Sequence, residues 1–475
     1  MAPDPKSIPQ GTLLSPEANQ AAALATATGV LTVDLDAIIA NWRKLEKTAV
    51  PAECAAVVKA DAYGCGAEQV ARALAGAGCK TFFVATLDEA RVVRAAAPAA
   101  AIYVLGGFFQ NTGNAYAKFD CKPVIGDLNE LAEWDVFCRR SGWSGGAAIH
   151  IDTGMNRLGL TVTEAQGIIP RINAGDHGIT LVMSHLASAE MLNNPANARQ
   201  LAAFREIASL FSGVPASLAN SSGIFLGAQF QFDLVRPGCA LYGINPTPEA
   251  DNPMQPVVEL KARIVQIRNV ERGDTVGYGG TWTARRPTRI AVVSAGYADG
   301  YFRAASANDG TRGAEVIVAG KRCPIAGRIS MDLTAVDVTD LDKNAVRRGH
   351  WVTLIGEGIT ADELAHHFGT IGYEVLTSLG KRYARVYKGG SATAAPLLRL
   401  QRSRSPPPLK PSFRVFLRGV SCRCRPRPFQ ALVIRQFTKR RSADNTGPPN
   451  DRWSVARSYY FFRLANTCLQ ASLSW

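Results

Sequence analysis

The chain has 475 residues, enough for two to four domains at roughly 150 residues each. Hydrophobic residues make up 47% and charged residues 19%, which excludes a wholly disordered chain. The formal net charge is +14, yet residues 391–475 hold 16 Lys+Arg against 2 Asp+Glu while residues 1–390 hold 37 of each sign; the body is neutral and lacks the basic footprint of a nucleic-acid binder.

Residues 1–30 are rich in Pro, Ala, Ser and Thr and read as a flexible N-terminal extension, whose start, MAPDPKSIPQ, lacks the apolar core of a secretory signal. From Leu31 short apolar runs alternate with amphipathic stretches. The predicted strands are Ala55–Lys59, Thr81–Ala85, Ala101–Leu105, Lys122–Ile125, Ala147–Ile151, Thr180–Ser184, Ala216–Ala219 and Asp233–Val235. Helical stretches such as Glu68–Ala77, Asp88–Ala96, Leu128–Arg139 and Arg199–Leu210 lie between them. Eight strands in this alternation predict an α/β fold with a (β/α)8 TIM-type barrel over 31–246; periodicity alone leaves an open doubly wound sheet as the alternative. The longest apolar run, Ala95–Phe109, is interrupted by Pro98 and too short to span a bilayer. Seven cysteines dispersed through the body read as reduced thiols of a cytoplasmic protein.

Beyond residue 247 the period changes. Leu260–Ile264 alternates apolar and polar, and Arg289–Ser294, Glu315–Ala319, Thr334–Val338 and Trp351–Ile355 are further short strands, interrupted by one helix, Ala361–Phe368. A mainly β C-terminal domain is expected over 247–390. The tail, 391–475, with Pro406-Pro407-Pro408 and scattered arginines, reads as a basic disordered appendage; a tether to nucleic acid or acidic membrane is the alternative.

No phosphate-binding glycine loop or dinucleotide fingerprint is present. His366 and His367 are adjacent on a helix and point apart, and Cys422-Arg-Cys424 lacks a second ligand pair, so no metal site is expected. The informative residues follow the predicted barrel strands. Lys59 closes the first, Arg157 follows the fifth, His185 closes the sixth, Asn220-Ser221-Ser222-Gly223 follows the seventh and Arg236-Pro237-Gly238-Cys239 the eighth. Each alone has a structural reading; in a barrel all meet at one mouth, with Ser- and Gly-rich turns at the usual phosphate position. An ammonium closing an apolar strand is costly unless paired or used. A lysine, a phosphate site and no metal cluster together point to pyridoxal phosphate with the lysine as Schiff-base partner.

The segment Val57-Val58-Lys59-Ala60-Asp61-Ala62-Tyr63-Gly64 resembles the cofactor-lysine signature of the alanine racemases, pyridoxal enzymes of fold type III. The likeness continues through Asp152–Gly159, Ser184-His185, Asn220-Ser221, Val235–Gly238 and Tyr242-Gly243. In the second domain it includes Val276–Trp282, Gly296–Tyr301, Gly327–Asp332 and Gly372–Val375, so it covers about residues 31–390 in the family's order.

The resemblance implies roles. Lys59 would hold the cofactor and act as base on one face; Tyr278, from the other subunit of a homodimer, would be the base on the opposite face. His185 would stack on the pyridine ring and Arg236 would donate to its nitrogen. Tyr63, Ser221, Gly238, Cys239 and Tyr373 would hold the phosphate. Arg157 would contact the cofactor and the substrate carboxylate, the Met331 amide would bind that carboxylate too, and Tyr297 would line the entrance. The implied activity is interconversion of L- and D-alanine, supplying D-alanine for peptidoglycan. A broad-specificity or serine racemase on the same scaffold, and a non-catalytic pyridoxal-phosphate-binding barrel, are the alternatives; the presence of Tyr278 argues against the second. The sequence departs from the family pattern at Cys65, where histidine is common, and at His150, where many members carry a lysine whose carbamate props the arginine at the position of Arg157. Histidine cannot form that carbamate, so another group must support Arg157.

Overall fold

The computed structural model describes residues 24–173 and 178–390. The first part of the N-terminal extension and the whole basic tail, read above as disordered, lie outside the described residues.

Eight segments form the barrel: Glu53–Cys54 with Ala56–Val57, then Thr81–Val84, Ala101–Val104, Lys122–Ile125, Ala147–His150, Ile179–Met183, Ala216–Ser217 and Leu234–Val235. Each pairs in parallel with the next from Ala56–Val57 to Ala216–Ser217. The ring closes through the eighth. Asp233 N donates to Ala216 O (3.0 Å) and Arg236 N to Ala219 O (2.9 Å), while Glu53, Ala55 and Val57 N donate to Asp233, Val235 and Pro237 O at 2.8, 3.0 and 2.9 Å. Closure leaves no sheet edge, and the open-sheet alternative is excluded. The strands are nearly continuous apolar runs because helices cover their outer side: Phe82, Phe83, Ile102, Ile149 and Val182 are fully buried.

The outer helices start where the chain supplies caps. Thr86 and Glu89 form a reciprocal capping box on Leu87–Ala96, Asp127 caps Leu128–Ser141, and Asn194 caps Pro195–Ala208. After the seventh and eighth strands the helices shrink to single turns, Gly223–Leu226, Ala228–Phe230 and Cys239–Tyr242. These short turns bring backbone close to the barrel mouth.

The second sheet is organised by one long strand, Val258–Val270, which pairs antiparallel with Gly29–Asp34, Thr288–Val293 and Trp351–Ile355. Gly29–Asp34 also pairs in parallel with Ala384–Lys388. Residues 31–34 therefore lie in the β-rich sheet and not in the barrel, where the sequence reading had put them. Leu31 and Val33 are fully buried there. Asp34 then caps an unpredicted helix, Leu35–Ala49, by accepting from Ala37 N at 2.9 Å, and that helix buries Ile38, Trp42 and Leu45. Besides Ala361–Phe368, which matches its prediction, this part holds a second helix, Gly372–Thr377.

The cysteines of the body are free thiols, six of them buried. Among the described residues no helix is long and apolar enough to cross a membrane, and no group of His, Cys, Asp or Glu could hold a metal ion.

Candidate active site

The first strand ends at Val57, and Lys59 opens a left-handed turn rather than closing the strand. Ala60, Asp61, Ala62 and Tyr63 have φ of 53°, 53°, 54° and 55°. Such a conformation costs a non-glycine residue on the order of 1–3 kcal/mol, so the surroundings must enforce it. They do so with hydrogen bonds. Ala62 N donates to Val58 O (3.0 Å), Gly64 N to Ala60 O (2.9 Å) and Gly66 N to Asp61 O (2.8 Å). Glu89 Oε1 accepts from Ala60 N and its Oε2 from Ala85 N, both at 2.7 Å, and Asp61 Oδ1 accepts from Ala67 N at 2.7 Å. Glu89 thus ties the turn to the second strand. Sequence reading missed it, although Thr86-x-x-Glu89 is a legible capping box.

Lys59 is half-buried. Burial pushes its pKa down, the guanidinium of Arg157 pushes it further, and Glu89 opposes both. A lysine with reduced proton affinity is present more often as the neutral amine near pH 7, and that is the form that attacks an aldehyde or takes up a proton.

Beside it hydroxyls converge. Tyr63 stacks on Tyr242 with centroids 4.6 Å apart and meets the edge of Tyr373 at 6.3 Å. Tyr242 Oη donates to Val57 O at 3.0 Å, fixing the stack to the first strand. Ser221 Oγ accepts from Gly238 N (2.9 Å) and Ala240 N (3.3 Å), joining the turns after the seventh and eighth strands. The Cys239 thiol lies against Ser221 and Tyr373, and burial raises its pKa. A β-carbon on residue 238 would sit 2.4 Å from Tyr63 Oη, so the phenol hydroxyl occupies space that only glycine leaves free. Tyr373 reaches this group from the helix of the second domain in the same chain.

Directly after the eighth strand Arg236 is buried and donates to Ser184 O (2.6 Å) and to Ser217 Oγ. Burial lowers its pKa to about 9, which leaves it charged at neutral pH and able only to donate. Burial first, and then Arg236, Arg157, His150 and Lys59, push His185 down to about 3, so its ring is neutral and apolar enough to stack. Gln200 holds that segment: its Nε2 donates to His185 O and its Oε1 accepts from Ala187 N, each at 2.9 Å.

His150 is half-buried, and burial with Arg236 and Arg157 holds it down to about 4 against the pull of Asp152. The loop that carries Arg157 is anchored by Asp152, whose Oδ1 accepts from Gly154 N (2.9 Å) and Met155 N (2.8 Å). These bonds hold its carboxyl below the usual range despite partial burial. Arg157 itself is exposed.

The remaining candidates sit elsewhere. Tyr278 forms a short turn, Tyr278–Gly280, between paired strands Thr275–Val276 and Trp282–Thr283, and is 71% exposed. Met331 is 53% exposed. Its loop is fastened to Tyr297: Tyr297 N donates to Ser330 O (3.1 Å) and Ala298 N to Met331 O (3.0 Å). Arg328 lies beside the Tyr278 turn, with Nη1 3.0 Å from where a β-carbon on residue 279 would be. Among the described residues no hydrogen bond or ring contact joins Tyr278 or Met331 to Lys59.

The donor set fits pyridoxal phosphate. The hydroxyls of Tyr63, Ser221 and Tyr373 would give a phosphate group its donors, the guanidinium of Arg157 bears on the lysine, and Glu89, the carboxylate that bears on Lys59, is taken up by backbone N–H groups. Barrel, lysine and phosphate cradle together define a pyridoxal-phosphate enzyme of the barrel class. Residues 33–246 match the alanine racemase N-terminal domain and residues 257–387 the alanine racemase C-terminal domain. An alanine racemase of Methylobacterium nodulans is 53% identical over 365 residues, 77% of this chain and 97% of the relative. A biosynthetic alanine racemase of Agrobacterium fabrum is 44% identical over 364 residues, 75% of this chain and 93% of the relative. The crystal structure of an alanine racemase from Bartonella henselae with covalently bound pyridoxal phosphate superposes with a TM-score of 0.72 at 41% identity, covering 76% of this chain and all of that one (100%). The chain belongs to the alanine racemase family.

Proposed function

We infer that this chain interconverts L-alanine and D-alanine, with pyridoxal phosphate as its cofactor. The observation that carries the reading is Lys59, held on a left-handed turn at the barrel mouth with its proton affinity lowered by burial and by Arg157. When bound, the cofactor supplies an electron-withdrawing ring that acidifies the α-hydrogen of an attached amino acid. Lys59 would be its covalent anchor; Tyr63, Ser221, Gly238, Cys239 and Tyr373 would hold its phosphate, and neutral His185 would pack on its ring.

Arg236 keeps its own proton at neutral pH, so the group facing it must accept a hydrogen bond. Arg236 would thereby keep a bound pyridine nitrogen unprotonated, which would favour return of the proton over side reactions. Racemisation needs one base on each face of the α-carbon. We assign Lys59 Nζ to one face and Tyr278 Oη to the other. Arg328 lies beside the turn that carries this phenol, and Arg157 of the partner subunit would face it across the site. Arg157 and the Met331 N–H would hold the substrate carboxylate.

This assignment requires a homodimer in which Tyr278 and Met331 serve the partner's barrel. Their exposure, 71% and 53%, supports that reading, because a large aromatic base left in water has nothing to act on. We place the enzyme in the cytoplasm, supplying D-alanine for peptidoglycan. The test is direct. Purified protein with pyridoxal phosphate is incubated with L-alanine or L-serine and the products are separated by chiral chromatography. D-alanine should form; its absence in a cofactor-loaded sample would overturn the reading, and equal turnover of serine would widen the substrate class.

A further inference from the structure

On the β-rich sheet, away from the cradle at Ser221, a groove of about 560 Å³ is lined by Gln266, Asn269, Arg289, Lys343, Arg347 and Arg348, together with Ile267 and Val346. Four of the eight lining residues are cations and none is an acid. That is unusual in a body whose charges balance. Among the described residues these four make no ion pair with a carboxylate. The nearby acids are engaged elsewhere: Asp340 pairs with Arg286 at 2.6 Å, and Asp342 Oδ1 accepts from Asn344 N at 2.7 Å.

Arg289 is the fixed point of the groove. Its Nη2 donates to the carbonyls of Val338, Leu341 and Asp342 at 3.1, 2.8 and 3.2 Å. Its Nε is shut away from solvent and has no hydrogen-bond partner. An orphaned donor on a charged group is expensive to leave unmet. Arg348 is also fastened, through Nε to Val265 O at 3.1 Å, which holds it at the groove wall. Lys343 and Arg347 are exposed and free to close over a bound group.

We propose that this groove binds a phosphate-bearing polyanion: a small phosphate ester or pyrophosphate. Four cations around one groove, none of them paired with a carboxylate among the described residues, favour a ligand with several charges over a single carboxylate, and guanidinium and ammonium groups suit phosphate oxygens. The amide side chains of Gln266 and Asn269 add neutral donors at the rim.

The probe is inorganic pyrophosphate, titrated calorimetrically into the cofactor-loaded full-length protein at saturating alanine, so that the phosphate cradle and the substrate site are both filled. One saturable site per protomer is expected. The doubly substituted protein Lys343→Gln/Arg347→Gln should bind about fivefold to tenfold more weakly, the effect of removing two exposed charge contacts, with racemisation unchanged as the control for folding. A second arm uses vesicles of phosphatidic acid in phosphatidylcholine. Release of vesicles by pyrophosphate from the wild type but not from the double variant assigns a lipid phosphate as the source; vesicle binding indifferent to the two substitutions assigns a free, soluble phosphate. Pyrophosphate affinity that is the same in wild type and double variant, or binding that never saturates, overturns the proposal.

Discussion

The hydroxyl of Tyr63 lies against the bare α-carbon of Gly238: a β-carbon built there falls 2.4 Å from Oη and 3.2 Å from Cζ. Gly238 has φ −121° and ψ −86°, so the glycine is required by the neighbour and not by a left-handed backbone. Gly238→Ala must push the phenol away or lift the turn after the eighth strand, and Tyr63 cannot give way because Tyr242 stacks on it. The variant should lose about 1–3 kcal/mol, as overpacked sites do, and bind pyridoxal phosphate more weakly. Thermal unfolding with and without cofactor reads both effects; unchanged cofactor affinity would detach this contact from the phosphate site.

Arg157 depresses the proton affinity of Lys59, second only to burial. Replacing Arg157 with Gln removes a repelling charge, so the lysine should hold its proton to higher pH. The pH at which pyridoxal phosphate becomes covalently fixed, read by borohydride trapping and mass spectrometry, should move upward. Lys59→Ala should give no trapped cofactor at any pH. Trapping at the same pH in Arg157→Gln would mean that burial alone sets the lysine.

His150 and His185 make the cofactor-free protein sensitive to acid. Their folded pKa values, about 4 and about 3, lie below the ordinary value of 6.5. Between those limits the unfolded chain binds more protons than the folded one, so stability rises with pH. The contribution is complete above about 6.5 and is lost progressively as pH falls toward 4 and then 3. For His150 it amounts to up to about 3 kcal/mol. Urea unfolding of the apo-protein from pH 7 to 4 should show this loss, and His150→Gln should reduce it, leaving the part that His185 contributes. A variant as acid-sensitive as the parent would place the titrating group elsewhere.

Much of this was legible in the sequence, for local reasons. Apolar runs such as Thr81–Val84 and Trp351–Ile355 are found at or within a residue of their expected positions because they are buried and bounded by turns or caps. What escaped depends on distant partners. Gly29–Asp34 alternates like any half-buried strand, and nothing in it names Val258–Val270 as its neighbour. The left-handed turn from Ala60 to Tyr63 contains no glycine, so no residue type announces it; Glu89, far along the chain, helps impose it. Helix Leu35–Ala49 did carry a signal, Asp34 as cap before an amphipathic stretch. The roles of Tyr278 and Met331 came only from the family likeness, since both are exposed and, among the described residues, neither is bonded to Lys59.

Two bases on opposite faces predict an asymmetric isotope experiment. Tyr278→Phe keeps the ring and removes the hydroxyl. Racemisation should fall by about 10²–10⁴-fold, the usual effect of losing a positioned acid–base group. With Lys59 intact, exchange of the α-hydrogen with heavy water should persist for D-alanine and largely vanish for L-alanine. Equal residual exchange of both isomers would end the two-base assignment. Mixing Lys59→Ala and Tyr278→Ala subunits should restore activity if each site draws its bases from two chains; verified subunit exchange without activity would put both bases on one chain.

The pairing of Gly29–Asp34 has a consequence for the order of synthesis. This strand leaves the ribosome before every other described strand, yet its neighbours are Val258–Val270 on one side and Ala384–Lys388 on the other. The barrel, contiguous from Glu53 to Val235, can close as it emerges, while Leu31 and Val33 stay uncovered until the last strand of the body is made. Such long-range pairing is slow and leaves an edge open to the wrong partner. A nascent chain stalled before Ala384 therefore carries a finished barrel and an unsatisfied leading strand, which makes it a substrate for chaperones or for pairing with another copy of itself.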